Sequence, residues 1–98
     1  MRRNELLKII EKAAREGITE LDLSGRDITE VPPEIGQLTQ LEKLNLGLRY
    51  DEQLNCLKNK LSSLPPEIAQ LTNLSELYLS ANQLSSLPPE IAQLNDDS

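Results

Sequence analysis

The chain has 98 residues, enough for one domain, with 16 acidic and 10 basic side chains, no histidine and a formal net charge of −6. Missing histidine removes Ser–His and Cys–His nucleophile pairs, His-liganded metals and His pH switches. The single cysteine, Cys56, makes neither an internal disulfide nor a thiolate cluster, and the acidic balance opposes nucleic acid and anionic lipid.

Residues 4–16 come first along the chain. Leu6, Leu7, Ile9, Ile10, Ala13 and Ala14 recur at helical spacing and form one apolar face. Asn4 is placed to act as N-cap and Gly17 as C-cap, and Glu11 and Arg15 are spaced to pair on the exposed side. Met1-Arg2-Arg3 runs straight into these charged residues, so it is not a signal peptide, and no apolar run approaches the ~18 residues of a membrane span. A cytoplasmic protein is the expectation. The helix at 1–17 is expected to cover the open end of whatever core follows.

From Ile18 onward the chain repeats itself. All six prolines fall as Pro-Pro pairs at 32–33, 65–66 and 88–89, each inside PPEIxQL, and residues 61–71 and 84–94 are both LSSLPPEIAQL. The units run 18–40, 41–73 and 74–96, so the middle one carries about ten more residues than its 23-residue neighbours. Leu74, Leu77, Leu79, Asn82, Leu84, Leu87, Ile91 and Leu94 occupy the slots of the last unit. Ile18, Leu21, Leu23, Ile28, Val31, Ile35 and Leu38 occupy those of the first, with Arg26 in the Asn slot. Alternating Leu-x-Leu predicts a short strand. Pro-Pro-Glu-Ile predicts a helical turn, because Pro suits a first helical position and Glu the positive end. One such unit cannot bury its apolar side alone, so the units must stack.

The surplus in the middle unit admits two registers. Leu41, Leu44 and Leu46 complete one strand, leaving residues 48–57 as a bulge; Leu54, Cys56 and Asn59 fit the same template, leaving 41–50 as the surplus. The first is favoured, because Asp51 is a poor occupant of a leading Leu slot. Asp51 is then placed to cap a helical turn reaching Leu57, and Cys56 is read as a small buried hydrophobe. The insertion is either a tolerated loop or a binding loop, with Arg49, Tyr50, Asp51 and Glu52 as its candidate contacts.

These residues and spacings resemble the leucine-rich repeat family, in its 23-residue form, over residues 18–96. The resemblance implies an α/β fold: a right-handed leucine-rich repeat solenoid with a short parallel sheet on its concave face, helical turns on the convex face and an N-terminal capping helix. It also implies a hydrogen-bond ladder through Asn59 and Asn82, with no matching Asn at Arg26. Residues 5–35, ELLKIIEKAAREGITELDLSGRDITEVPPEI, are similar more loosely to the N-terminal stretch of leucine-rich regions in bacterial Roco-type GTPases.

Family geometry places Glu20, Asp22 and Ser24, Lys43, Asn45 and Gly47, and Glu76, Tyr78 and Ser80 on the concave surface. That surface is the expected partner-binding site, with Tyr78 its foremost contact. No Gly-rich phosphate loop, metal-ligand spacing or convergent catalytic set is present, so neither an enzyme nor a cofactor is expected. The expected function is a protein–protein interaction module, part of a larger signalling protein. The alternative is a structural repeat that self-associates through its C-terminal edge or its inserted loop. Nucleic acid and membrane are not expected partners.

Overall fold

The computed structural model describes residues 1–84; positions 85–98, with the slots Leu87, Ile91 and Leu94, lie outside the described residues. The chain begins with helix α1 (Arg3–Glu16). Its C-terminus follows expectation: Gly17 adopts the left-handed conformation at φ 59° and returns its N–H to Ala13 and Ala14. Its N-terminus does not. The capping position is Arg2, without a side-chain cap bond, and Asn4 lies within the first turn rather than before it. The terminal ammonium of Met1 instead ties this end to the first coil, donating to the carbonyls of Arg26 and Asp27 at 3.1 and 3.4 Å.

Three strands follow, one per coil: β1 (Glu20–Asp22), β2 (Lys43–Asn45) and, last in the chain, β5 (Glu76–Tyr78). They form a parallel sheet in the order β1-β2-β5, with Leu21, Leu44 and Leu77 in register. The ladder repeats from coil to coil. Thr19 O accepts the N–H groups of Glu42 and Lys43, and Glu42 O accepts those of Ser75 and Glu76.

Two 3₁₀ turns, Pro33–Gln37 and Pro66–Gln70, occupy the opposite side of the coils and pack on one another. Pro32 and Pro65 are extended at φ −72° and −70° and lend their carbonyls to the N–H of Ile35 and Ile68. The following Pro has no N–H to leave orphaned, which is why a Pro pair opens each turn.

Equivalent slots stack into columns: Leu23 with Leu46 and Leu79, Ile28 with Leu61, Ile35 with Ile68, and Leu41 with Leu74 are all buried. Leu6, Ile10 and Ala13 of α1 join the same cluster, packing toward the first 3₁₀ turn. Among the described residues no aromatic ring enters this core.

The middle unit uses the register in which residues 43–45 enter the main sheet. Its surplus is neither a plain bulge nor a helical turn. It is an antiparallel hairpin of β3 (Arg49–Tyr50) and β4 (Cys56–Leu57). Asp51 therefore does not cap a helix. Its carboxylate accepts the N–H of Gln53 and of Asn55, both at 2.9 Å, and the Asn55 amide at 3.1 Å, which closes the hairpin loop. Cys56 is exposed, not buried, because its strand belongs to the projecting hairpin and not to the core.

Candidate functional site

Side chains alternate across a strand, so turning Leu44 and Leu77, both buried, and the partly buried Leu21 to the core turns the residues on either side of each to the opposite face. Two rows result. One joins Glu20, Lys43 and Glu76; the other joins Asp22, Asn45 and Tyr78. The sequence-predicted site residues of the strands thus lie together on one surface.

The first row is a connected chain of charges. Lys43 Nζ lies 3.3 Å from Glu20 Oε1 and 3.2 Å from Glu76 Oε2, bridging all three strands. Tyr78 donates its hydroxyl to Glu76 Oε1. These contacts raise the Lys43 pKa, first through Glu76 and then through Glu20. They lower that of Glu76, first through the Tyr78 hydroxyl and then through Lys43. The groups are solvated, so the pairs contribute little to stability; they set the orientation of the side chains. Tyr78 remains 41% exposed.

The second row behaves differently. Asp22 Oδ1 accepts the N–H and the hydroxyl of Ser24 at 2.9 and 2.6 Å. That pairing, hydroxyl first and amide second, holds the Asp22 carboxyl below its usual range, with Arg26 and Arg49 adding to it. Asn45 Oδ1 likewise accepts the Gly47 N–H at 2.9 Å. Both side chains are turned onto their own exit loops. Ser24 is only 2% exposed, so the expectation of a surface contact there is corrected: its hydroxyl fastens the turn. Ser80 is exposed, and Gly47 is buried beneath it, where an added Cβ would meet Ser80 Oγ at 2.6 Å.

Asn59 and Asn82 serve the interior. Asn59 is 1% exposed. Its Oδ1 accepts the N–H of Arg26 and Ile28, and its Nδ2 donates to the carbonyls of Leu23 and Leu46. Asn82 accepts from Leu61 N and donates to Leu46 O and Leu79 O. Each Asn sews its coil to the one before. Arg26, in the same slot of the first coil, sends its guanidinium to Asp22 O at 3.3 Å and lies on the outer edge of β1.

The hairpin was missed by sequence reading. Its loop lacks the Asn-Gly or Asp-Gly pair that marks a tight hairpin, and its strands are two residues each. Arg49 and Leu57 face the first coil over Gly25, where a Cβ would meet them at 2.6 and 2.8 Å. Tyr50 and Cys56 pair on the other face and are exposed. Asp51 is held below the usual carboxylate range by the Asn55 backbone amide, then by the Asn55 side chain. Glu52 lies exposed in the loop.

Among the described residues no three His, Cys, Asp or Glu side chains gather in a way that could hold a metal ion. No helix among them is long and apolar enough to cross a membrane.

A parallel sheet fed by Leu-x-Leu strands, backed by Pro-Pro turns and sewn by Asn59 and Asn82, defines a stacked repeat protein of α/β type. Residues 52–92 match the family model for leucine-rich repeats in two copies. That stretch carries repeats of the leucine-rich repeat family. Among solved structures the chain is similar to a leucine-rich repeat protein of Leptospira interrogans, at 30% identity and a TM-score of 0.40 over 90% of this chain. The chain spans 33% of the length of that protein. No curated protein matches the sequence. Leucine-rich repeats generally mediate protein–protein interaction, and the matched family is a repeat family rather than a catalytic one.

Proposed function

We propose that the chain is a protein-binding module whose contact surface is the exposed face of the β1-β2-β5 sheet. One observation carries this reading: Glu20, Lys43 and Glu76 form one row of mutually oriented side chains across three coils, joined from the neighbouring row by the Tyr78 hydroxyl. The strands beneath them are held by backbone ladders and a continuous aliphatic core, so the side chains are positioned before a partner arrives. Little ordering cost is then left for binding. Tyr78 is the anchor of this surface, with Glu20, Asp22, Asn45 and Ser80 around it.

Helix α1 acts in this reading as the cap of a right-handed solenoid, supported by its three residues in the shared core. The module works inside the cell as part of a multidomain protein, a reading supported by the likeness of residues 5–35 to bacterial Roco-type repeat regions.

A photo-crosslinking residue installed at position 78, with position 5 on the exposed side of α1 as control, recovers the partner for identification. The purified partner is then titrated with the wild-type chain and with Tyr78→Ala. A loss of about 2 kcal/mol is expected for an interface anchor. Equal affinity for both chains removes Tyr78 from the site.

A further inference from the structure

Arg26 stands in the slot where the two later coils carry Asn59 and Asn82. The hydrogen-bond ladder explains the departure. Each Asn reaches back: Asn59 binds backbone groups of the first coil, and Asn82 those of the second. The first coil is preceded by α1 and not by another coil, so an Asn at position 26 would have no strand exit to sew.

The same end of the sheet has an open edge. Thr19 O and the Leu23 N–H both bond to the second coil, and the backbone groups of a strand point alternately to either side. Leu21 therefore bonds toward β2, and the N–H and C=O of Glu20 and Asp22 point off the outer edge of β1. Helix α1 does not close this edge. It packs toward the first 3₁₀ turn, and an apolar groove lined by Ile9, Ile18 and Leu21 lies between it and β1. Unpaired strand groups beside apolar surface are a template for another strand.

Arg26 lies across that template. Its guanidinium donates to Asp22 O, one of the outward carbonyls, at 3.3 Å. Its Nε is buried without a hydrogen-bond partner among the described residues, so the arm is packed down along the edge and not extended into water. The same side chain lines the groove beside Leu21. An incoming strand would have to lift this charge away to reach either the carbonyl or the groove. We infer that Arg26 is an edge guard, which ends the sheet at β1 by denying Asp22 O and the groove to a further strand. The guard is independent of what the sheet face binds and leaves Tyr78 clear.

A synthetic strand of alternating lysine and valine tests the guard. Laid along β1, its lysines face Glu20 and Asp22 while its valines face Leu21 and the groove. It is titrated into the isotope-labelled full chain, and the Glu20 and Asp22 amides are followed. Arg26→Asn restores the residue of the later coils, and Arg26→Gln keeps most of the stem. Both variants are expected to bind the strand about tenfold or more tightly than the wild type, with shifts at both amides. A version of the strand with proline at its centre keeps the charge and loses ladder donors, and it is expected to lose the gain. A wild type that takes up the strand as well as the variants overturns the guard. So do variants with native melting curves whose Glu20 and Asp22 amides stay unshifted, or a proline strand that binds them equally well. If neither variant folds, Arg26 holds the coil together and does not guard its edge, which overturns the assignment as well.

Discussion

Asn59 shows how much one side chain does when every polar atom of it is used. Its removal leaves the N–H groups of Arg26 and Ile28 and the carbonyl of Leu23 without their partner inside the coil stack. Unsatisfied buried groups cost about 1–3 kcal/mol each, so Asn59→Ala is expected to cost on the order of 3 kcal/mol or more in chemical denaturation. Asn82→Ala, at a less buried position with fewer bonds to the preceding coil, is expected to cost less. Equal effects would contradict the ladder as described. A second expectation concerns Asp51, whose folded-state pKa is depressed. Its contribution is fully present above the ordinary carboxylate range and is lost as pH falls below about 4. Asp51→Ala should therefore lower the melting temperature at neutral pH and leave it nearly unchanged at acid pH. A variant equally destabilised at both would show that the carboxylate charge is irrelevant to the turn.

At the scale of elements, the regular repeats were legible because each slot is set by a local requirement. Leu-x-Leu must face one side of a strand, and a Pro pair can open but not continue a helical turn. The hairpin was not legible. Its stability comes from contacts no local pattern carries: the Asp51 bonds across the loop, and the seating of Arg49 and Leu57 on a glycine of the preceding coil. Cys56 and Asp51 were misread for that reason, since a repeat template has no place for a second small sheet. The same seating makes a prediction. At Gly25 an added Cβ meets both strands of the hairpin, and φ is +60°. Gly25→Ala is expected to cost about 1–3 kcal/mol and to increase hydrogen exchange at Tyr50 and Leu57 while β1 stays protected. Unaltered exchange in the hairpin would contradict the seating.

Over the whole molecule, the absence of large rings from the core follows from stacking. Equivalent slots in successive coils must have similar volume, and Leu, Ile and Val meet that condition at every column. Leu77 lies on β5, the last strand of the described sheet, and is 2% exposed. Leu77→Ala is expected to cost about 2–5 kcal/mol, enough to unfold so small a domain, with one cooperative transition. The candidate site face was an expectation from the family's geometry, whereas the ion pairs that join Glu20, Lys43 and Glu76 were not legible, because they depend on the register between coils. The diversion of Asp22 and Asn45 onto their own exit loops was not legible either, because it depends on the turn that follows each strand. The central claim is that this face meets the partner. Amide shifts of the isotope-labelled chain on addition of the crosslinked partner test it most directly. Perturbations are expected to cluster at Glu20, Lys43, Glu76 and Tyr78. Perturbations confined to α1 and the two 3₁₀ turns would contradict it.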